Sequence, residues 1–321
     1  MKSPIYSFFS FHLVFVFLIV FLLALLPNPT LSRKEPQPAL SLKHLEGSRK
    51  GQTVKGLHEI KNYLKRFGYA NVVANISNYH LAHENDDKFD DVLEIEIKAY
   101  QLNYNLEATG MLDTQTLQQM MLPRCGVPDI DTNGKSSMKW NRYNGGRGNV
   151  NFKFFNGKRK WPPSKYNLTY KFTTDGSLTN IDYETLSSVC ARAFATWAAV
   201  IPFQFKEVGV VEHADIFIGF RTGDHGDGTP FDGPLNVWAH AFEPTDGRLH
   251  YDATENWGTG PASDEIDLET ITVHEIGHIL GLEHTSDGSA VMFPHIGLGV
   301  AKRQLGSDDI MGVKTLYGLI G

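Results

Sequence analysis

Apolar spacing divides the chain into three stretches. The first, Ile5 to Leu26, is apolar almost throughout; Lys2 precedes it and Pro27, Asn28 and Pro29 break it. This is the pattern of a secretory signal peptide, so residues 1–32 are set apart from the fold. The run is also long enough to span a bilayer, which leaves a retained anchor as the alternative. The second stretch, residues 33–151, carries three helical periods. Leu57, Ile60, Leu64 and Phe67 mark the first, and Val92, Ile95, Ala99 and Leu102 the second. Leu117, Met120 and Met121 mark the third, which begins behind Asp113 as N-cap. Three short helices predict a small bundle. Residues 130–151 are rich in Gly, Asn, Ser and Lys and lack apolar periodicity, an exposed linker open to proteolysis.

The third stretch, residues 152–321, mixes two periods. Strands are predicted over 166–172, 203–208, 214–220, 237–242 and 249–252. A helix over 182–200 places Leu186, Val189, Ala193 and Trp197 on one face, a second passes through His274, and a third starts near Ser307 as N-cap. The pattern is that of an α+β domain large enough to bury its own core.

Composition narrows the function. A formal charge of −6 gives no basic footprint for nucleic acid. Two cysteines cannot make a disulfide framework. A cleaved leader implies a secreted, extracellular protein with no membrane segment left, and nothing suggests more than a monomer. Asn75-Ile76-Ser77 and Asn167-Leu168-Thr169 fit the glycosylation acceptor pattern of that compartment.

The most informative stretch is His274 to His284, HEIGHILGLEH. Residues four apart share a helix face, so His274 and His278 stack one turn apart. Gly281 can adopt the left-handed conformation that ends a helix, which would bring His284 back as a third ligand. Three neutral imidazoles and one open position describe a catalytic zinc site. Glu275 is placed to take a proton from a water that the metal acidifies. The alternative is a buried amphipathic helix that happens to carry histidines. The five fixed positions together favour a zinc-dependent hydrolase, and a peptidase above others.

With Met292 in SAVMFP behind the zinc helix, and PRCGVPD at residues 123–129 ahead of it, the chain resembles the matrixins, the matrix metalloproteinases of the metzincin clan. Met292 could otherwise be plain core. The resemblance covers nearly everything after the leader and is similar to short plant members without a haemopexin-like domain. It implies a twisted mixed five-stranded sheet with three helices, preceded by a three-helix prodomain. It also implies a zinc endopeptidase made as a latent zymogen and activated by another protease. Its substrates would be extracellular proteins and peptides, cut before a bulky apolar residue.

By the same resemblance Cys125 fills the open zinc position in the latent form, and Arg124 pairs with Asp129 to hold the loop. A thiolate is a strong zinc ligand, so the enzyme would be folded and silent. The alternative for Cys125 is a disulfide with Cys190. His225, Asp227, His240 and His250 match the family's structural zinc. Asp232, the Gly233 loop, Asp252 and Glu255 match its calcium site, where hard oxygen donors are expected. Asp215 is a candidate for a second calcium, although the partner loop between Pro244 and Leu249 is short. Substrate is expected along the edge strand near Trp238 and Ala239. Thr270, small and one turn before His274, implies an open specificity pocket. Thr285 and Trp238 depart from the usual Ser and smaller aliphatic residue. The mature chain would begin near Phe152 and pair its ammonium with Asp308 or Asp309. The remaining histidines, His295 among them, show no ligand spacing and read as solvated. A zinc-stabilised binding module without turnover is the competing class, and Glu275 argues against it, since a binder needs no general base.

Overall fold

The computed structural model describes residues 42–73, 86–136, 138, 151–173, 176–177, 179–234, 236–260 and 262–320. The apolar leader and the acceptor Asn75 lie outside them. Among the described residues, no helix is long and apolar enough to cross a membrane.

The first half is the expected helical bundle: α1 (Leu57–Arg66), α2 (Asp91–Asn103) and α3 (Thr114–Met120). Asp90 and Asp113 cap α2 and α3 by accepting the amides of Leu93 and Thr116. Each such cap is worth about 1 kcal/mol. The buried face of α2 differs from the apolar spacing. Ile95 and Leu102 are exposed, while Leu93, Glu96, Ile97, Tyr100 and Gln101 are buried. Gln101 earns its place through hydrogen bonds: its amide donates to Thr109, the Met111 carbonyl and Thr116, and accepts from Gly110.

The second half folds around a five-stranded sheet in the order β2 (Gln204–Glu207), β1 (Asn167–Phe172), β3 (Ile216–Arg221), β5 (Arg248–Asp252), β4 (Ala239–Ala241). All pairs are parallel except β4, which runs antiparallel to β5 and ends the sheet. β6 (Trp257–Gly258) and β7 (Ile266–Asp267) pair separately. Helix α4 (Tyr183–Ala198) packs on α5 (Leu268–Ile279), and α6 (Ser307–Leu316) closes the domain. Trp197 of α4 is fully buried and donates its indole N–H to the Val273 carbonyl at 2.8 Å, fixing α5 against the core. The start of α6 is a correction. Its N-cap is Gly306, not Ser307, and the cap is made in reverse: Asp309 accepts the Gly306 amide at 2.7 Å.

Candidate catalytic metal centre

Helix α5 begins at Asp267, whose side chain accepts the Thr270 amide and hydroxyl. Every residue of α5 is buried, so its histidines meet protein rather than solvent. Gly281, at φ +104°, makes the predicted left-handed turn. A Cβ there would press on the Arg159 carbonyl and on Leu316. Gly277 is needed for a different reason, because a Cβ would collide with the sulfur of Met292. Met292 therefore lies directly beneath the helix. Its turn is held by Asp309, which accepts the amides of Val291 and Met292. Gly281→Ala is expected to cost about 1–3 kcal/mol through backbone strain alone. It should also displace His284, read as a lower Tm together with reduced bound zinc.

The turn brings four ligand atoms together. Cys125, His274, His278 and His284 each present one, all within 4.8 Å of one another, and all four residues are buried. Cys125 Sγ lies 3.5 Å from His278 Nε2, which lies 3.2 Å from His274 Nε2. Nδ1 of His274 bonds the Val291 carbonyl at 2.7 Å, and Nδ1 of His278 bonds the Leu282 carbonyl at 2.8 Å. Those bonds aim each Nε2 inward. Nε2 of His284 is buried with no hydrogen-bond partner. Burial drives the His274 and His278 pKa values well below the usual range, so both are neutral, as metal ligands must be. Burial likewise pushes the Cys125 thiol up, with the adjacent Glu275 carboxylate adding to the shift. A thiolate in this position therefore needs a cation beside it. Three nitrogens and one sulfur at this spacing fit tetrahedral zinc. Glu275 is wholly buried, and burial pushes its carboxyl up to about 8.

Cys125 arrives on an extended segment wedged into the cleft. On one side it runs parallel to the sheet edge: Arg124 N–H donates to the Asn236 carbonyl, Trp238 N–H to the Arg124 carbonyl, and Gly126 N–H to the Ala239 carbonyl. On the other side Cys125 N–H donates to the Pro294 carbonyl. Arg124 is buried, makes paired bonds of 2.9 and 2.7 Å to Asp129, and stacks its guanidinium on Phe67 at 3.5 Å. Both cysteines are free thiols, so the disulfide alternative is not the arrangement found.

The second cluster also assembles. The β4–β5 register sets His240 opposite His250. One oxygen of Asp227 lies 2.8 Å from His225 Nε2, His240 Nε2 and His250 Nδ1 alike. Burial opposes the charge on Asp227, yet the His240 and Thr229 hydrogen bonds hold its carboxyl well below the usual range. Three imidazoles around one carboxylate, with no opening, fit a structural zinc. Burial raises the pKa values of both Asp232 and Asp252, and Asp252 adds to the shift of Asp232 while Arg66, paired with Asp232 at 2.6 Å in the uncut chain, opposes it. Asp252 Oδ2 is buried without a hydrogen-bond partner, as a cation ligand would be. Glu255 is buried one turn further on. Asp215 does not join these groups: Lys165 binds it at 2.5 Å, and the Thr169 amide and hydroxyl both donate to it. Asn167 is exposed at the start of β1.

Two residues escaped the sequence reading. His295, expected to be solvated, is buried at 7 % exposure, with Nδ1 3.2 Å from both the Leu122 and Pro123 carbonyls and its ring against Tyr104. Asp129 reaches not only Arg124 but also His284, at 3.1 Å.

Comparison with known proteins agrees with the geometry. Residues 160–318 match the matrixin family, and residues 53–120 match a peptidoglycan binding domain family. The chain is 43% identical over 286 residues to Metalloendoproteinase 5-MMP of Arabidopsis thaliana, covering 85% of this chain and 74% of that one. It is 42% identical to Metalloendoproteinase 1 of Glycine max over 84% of both chains. It is 34% identical to human Matrilysin over 81% of this chain and 85% of that one. A three-imidazole, one-thiol site beside a buried glutamate, carried on a sequence this similar along most of its length, leaves one conclusion: the chain belongs to the matrixin family of zinc metalloendopeptidases.

Proposed function

We propose that the chain is a secreted matrixin made as a latent zymogen, cutting internal peptide bonds of extracellular proteins before bulky apolar residues. One observation carries this reading: Cys125 sits within ligand distance of the three imidazoles, beside Glu275. His274, His278 and His284 hold the catalytic zinc, with Cys125 as fourth ligand while residues 33–151 stay in place. His225, Asp227, His240 and His250 hold the structural zinc. Asp232, the Gly233 loop, Asp252 and Glu255 hold calcium.

Zinc, when bound, polarises the scissile carbonyl and acidifies a water. Glu275 accepts the proton of that water and passes it to the leaving amine. Departure of the Cys125 segment frees the Trp238 amide and the carbonyls of Ala239 and Pro294. An extended substrate would pair with the same groups. Beyond Gly126 a cleft of about 280 Å³ continues between Val127, Phe155, Phe242 and Glu243. Thr270 is fully buried with its hydroxyl turned to Asp267 and the Lys302 amide, and a side chain this small one turn before His274 supports an open specificity pocket.

Activation is expected by cleavage in the linker, by a separate protease. Asp308 already accepts the amides of Asn151 and Phe152 at 2.7 and 3.1 Å, so a chain starting near Phe152 would seat its ammonium there. Asp309 is committed to the methionine turn. Asp308 also accepts the Thr285 hydroxyl, so Thr serves where Ser is usual. The test is a quenched peptide library offered to the linker-cut enzyme with and without a zinc chelator. Chelator-sensitive cleavage before Leu or larger is expected, and a preference for charged residues there would contradict the reading.

His295 gives a pH dependence. Burial, and then the Arg124 charge, lower its pKa to about 3 while the cleft is covered. Uncovering removes the Arg124 charge and part of the burial, so its pKa rises towards the ordinary imidazole value of about 6.5. A depressed pKa stabilises the covered form above pH 6.5 and withdraws that stability as pH falls towards 3. Below about pH 6 the closed cleft should weaken by roughly tenfold per pH unit. Labelling of the Cys125 thiol against pH measures this, and His295→Gln should flatten the profile.

A further inference from the structure

Two of the three imidazoles at the metal centre are aimed by carbonyls of the same domain, Val291 for His274 and Leu282 for His278. The third is not. His284 Nδ1 lies 3.1 Å from Oδ1 of Asp129, a residue from the far side of the linker, and both side chains are 0 % exposed. Asp129 cannot swing away easily. Both terminal nitrogens of Arg124 bind it, and the hydroxyls of Tyr69 and Tyr104 donate to Oδ2 at 2.9 and 3.0 Å.

We propose that Asp129 is a positioning residue for the catalytic zinc of the uncut chain. Its carboxylate accepts the Nδ1 proton of His284 and so fixes the tautomer and ring angle that turn Nε2 towards the metal. A carboxylate behind a ligating histidine also raises the basicity of the coordinating nitrogen, and losing such a partner typically costs 10–100-fold in metal affinity. The inference rests on the latent-zymogen reading above. It adds that the N-terminal unit supports the metal twice, once through the Cys125 sulfur and once through Asp129. Cutting the linker removes both. The mature domain is left with a third ligand whose Nδ1 faces water, and it holds zinc less firmly than loss of the sulfur alone would explain.

The test removes the sulfur first. Uncut Cys125→Ser, Cys125→Ser/Asp129→Asn and Cys125→Ser/Asp129→Ala chains are loaded with zinc, and a chromogenic chelator follows its release. The alanine variant is expected to lose the catalytic ion about 10–100-fold faster than Cys125→Ser. The asparagine variant keeps an acceptor oxygen and should fall between them. The isolated mature domain should match alanine. Equal release from all three uncut chains would overturn the proposal. If the alanine variant fails to fold, the wild-type sequence still decides through cobalt substitution. The paramagnetically shifted ring N–H of His284 should resist solvent exchange in the uncut chain and lose that protection on cutting. Equal exchange before and after cutting overturns the proposal. Failure of the latency reading looks different: the intact wild-type chain would cleave peptides at the mature rate, whatever its zinc release.

Discussion

Glu275→Gln in the linker-cut enzyme is expected to keep the fold and both zinc ions while losing about 10²–10⁴ of its peptidase rate, the usual contribution of a general acid–base group. Glu275 is fully buried next to the fourth coordination position, with the Cys125 thiol beside its carboxylate in the closed chain. A carboxylate placed this way contributes nothing to folding that an amide of the same size would lose. Burial already pushes its carboxyl up to about 8 in the closed chain, so a neutral replacement removes a cost rather than a support. An amide cannot take up a proton and return it. The rate with a quenched peptide, read beside Tm and zinc content, separates the chemistry from the structure. Full activity in the variant would remove Glu275 from the reaction.

Cys125→Ser in the uncut chain should release activity before any cleavage of the linker. Structural zinc sites are worth about 10–16 kcal/mol over four ligands, so roughly 3 kcal/mol is lost with one, or about a hundredfold in the closed equilibrium. The neighbouring contacts remain: Arg124 still binds Asp129 and stacks on Phe67, and the segment keeps its backbone bonds along the sheet edge. The variant is therefore expected to breathe rather than to lose its N-terminal unit. Its peptide cleavage should exceed that of the intact parent by about that factor and rise again on cutting. If the uncut variant is as silent as the parent, backbone occlusion rather than the sulfur keeps the enzyme latent.

The catalytic ligands were legible because their geometry is local. Four-residue spacing on one helix and a glycine turn settle three nitrogens without knowledge of the rest of the chain. The second cluster was legible only through family resemblance, since His240 and His250 meet through a strand register that no local spacing encodes. The contact between Asp129 and His284 spans 155 positions and has no sequence signature. The buried face of α2 was misread because apolar residues lie on more than one side of it. There Gln101 wins a core position through hydrogen bonds, and Leu102 is left in solvent. His295 differs for a related reason: the Cys125 segment bridges it through Arg124 and Tyr104 packs on its ring, contacts distant in sequence. Asp215 entered as a candidate ligand only through family resemblance, and its carboxylate pairs with Lys165.

Zinc counting on the folded, linker-cut domain and its His278→Ala variant decides whether these imidazoles hold the catalytic ion. Two ions per chain are expected in the parent, and one, with the fold retained and peptide cleavage gone, in the variant. A folded His278→Ala domain that still carries two ions and still cleaves peptides would contradict the assignment of His274, His278 and His284 as the catalytic centre.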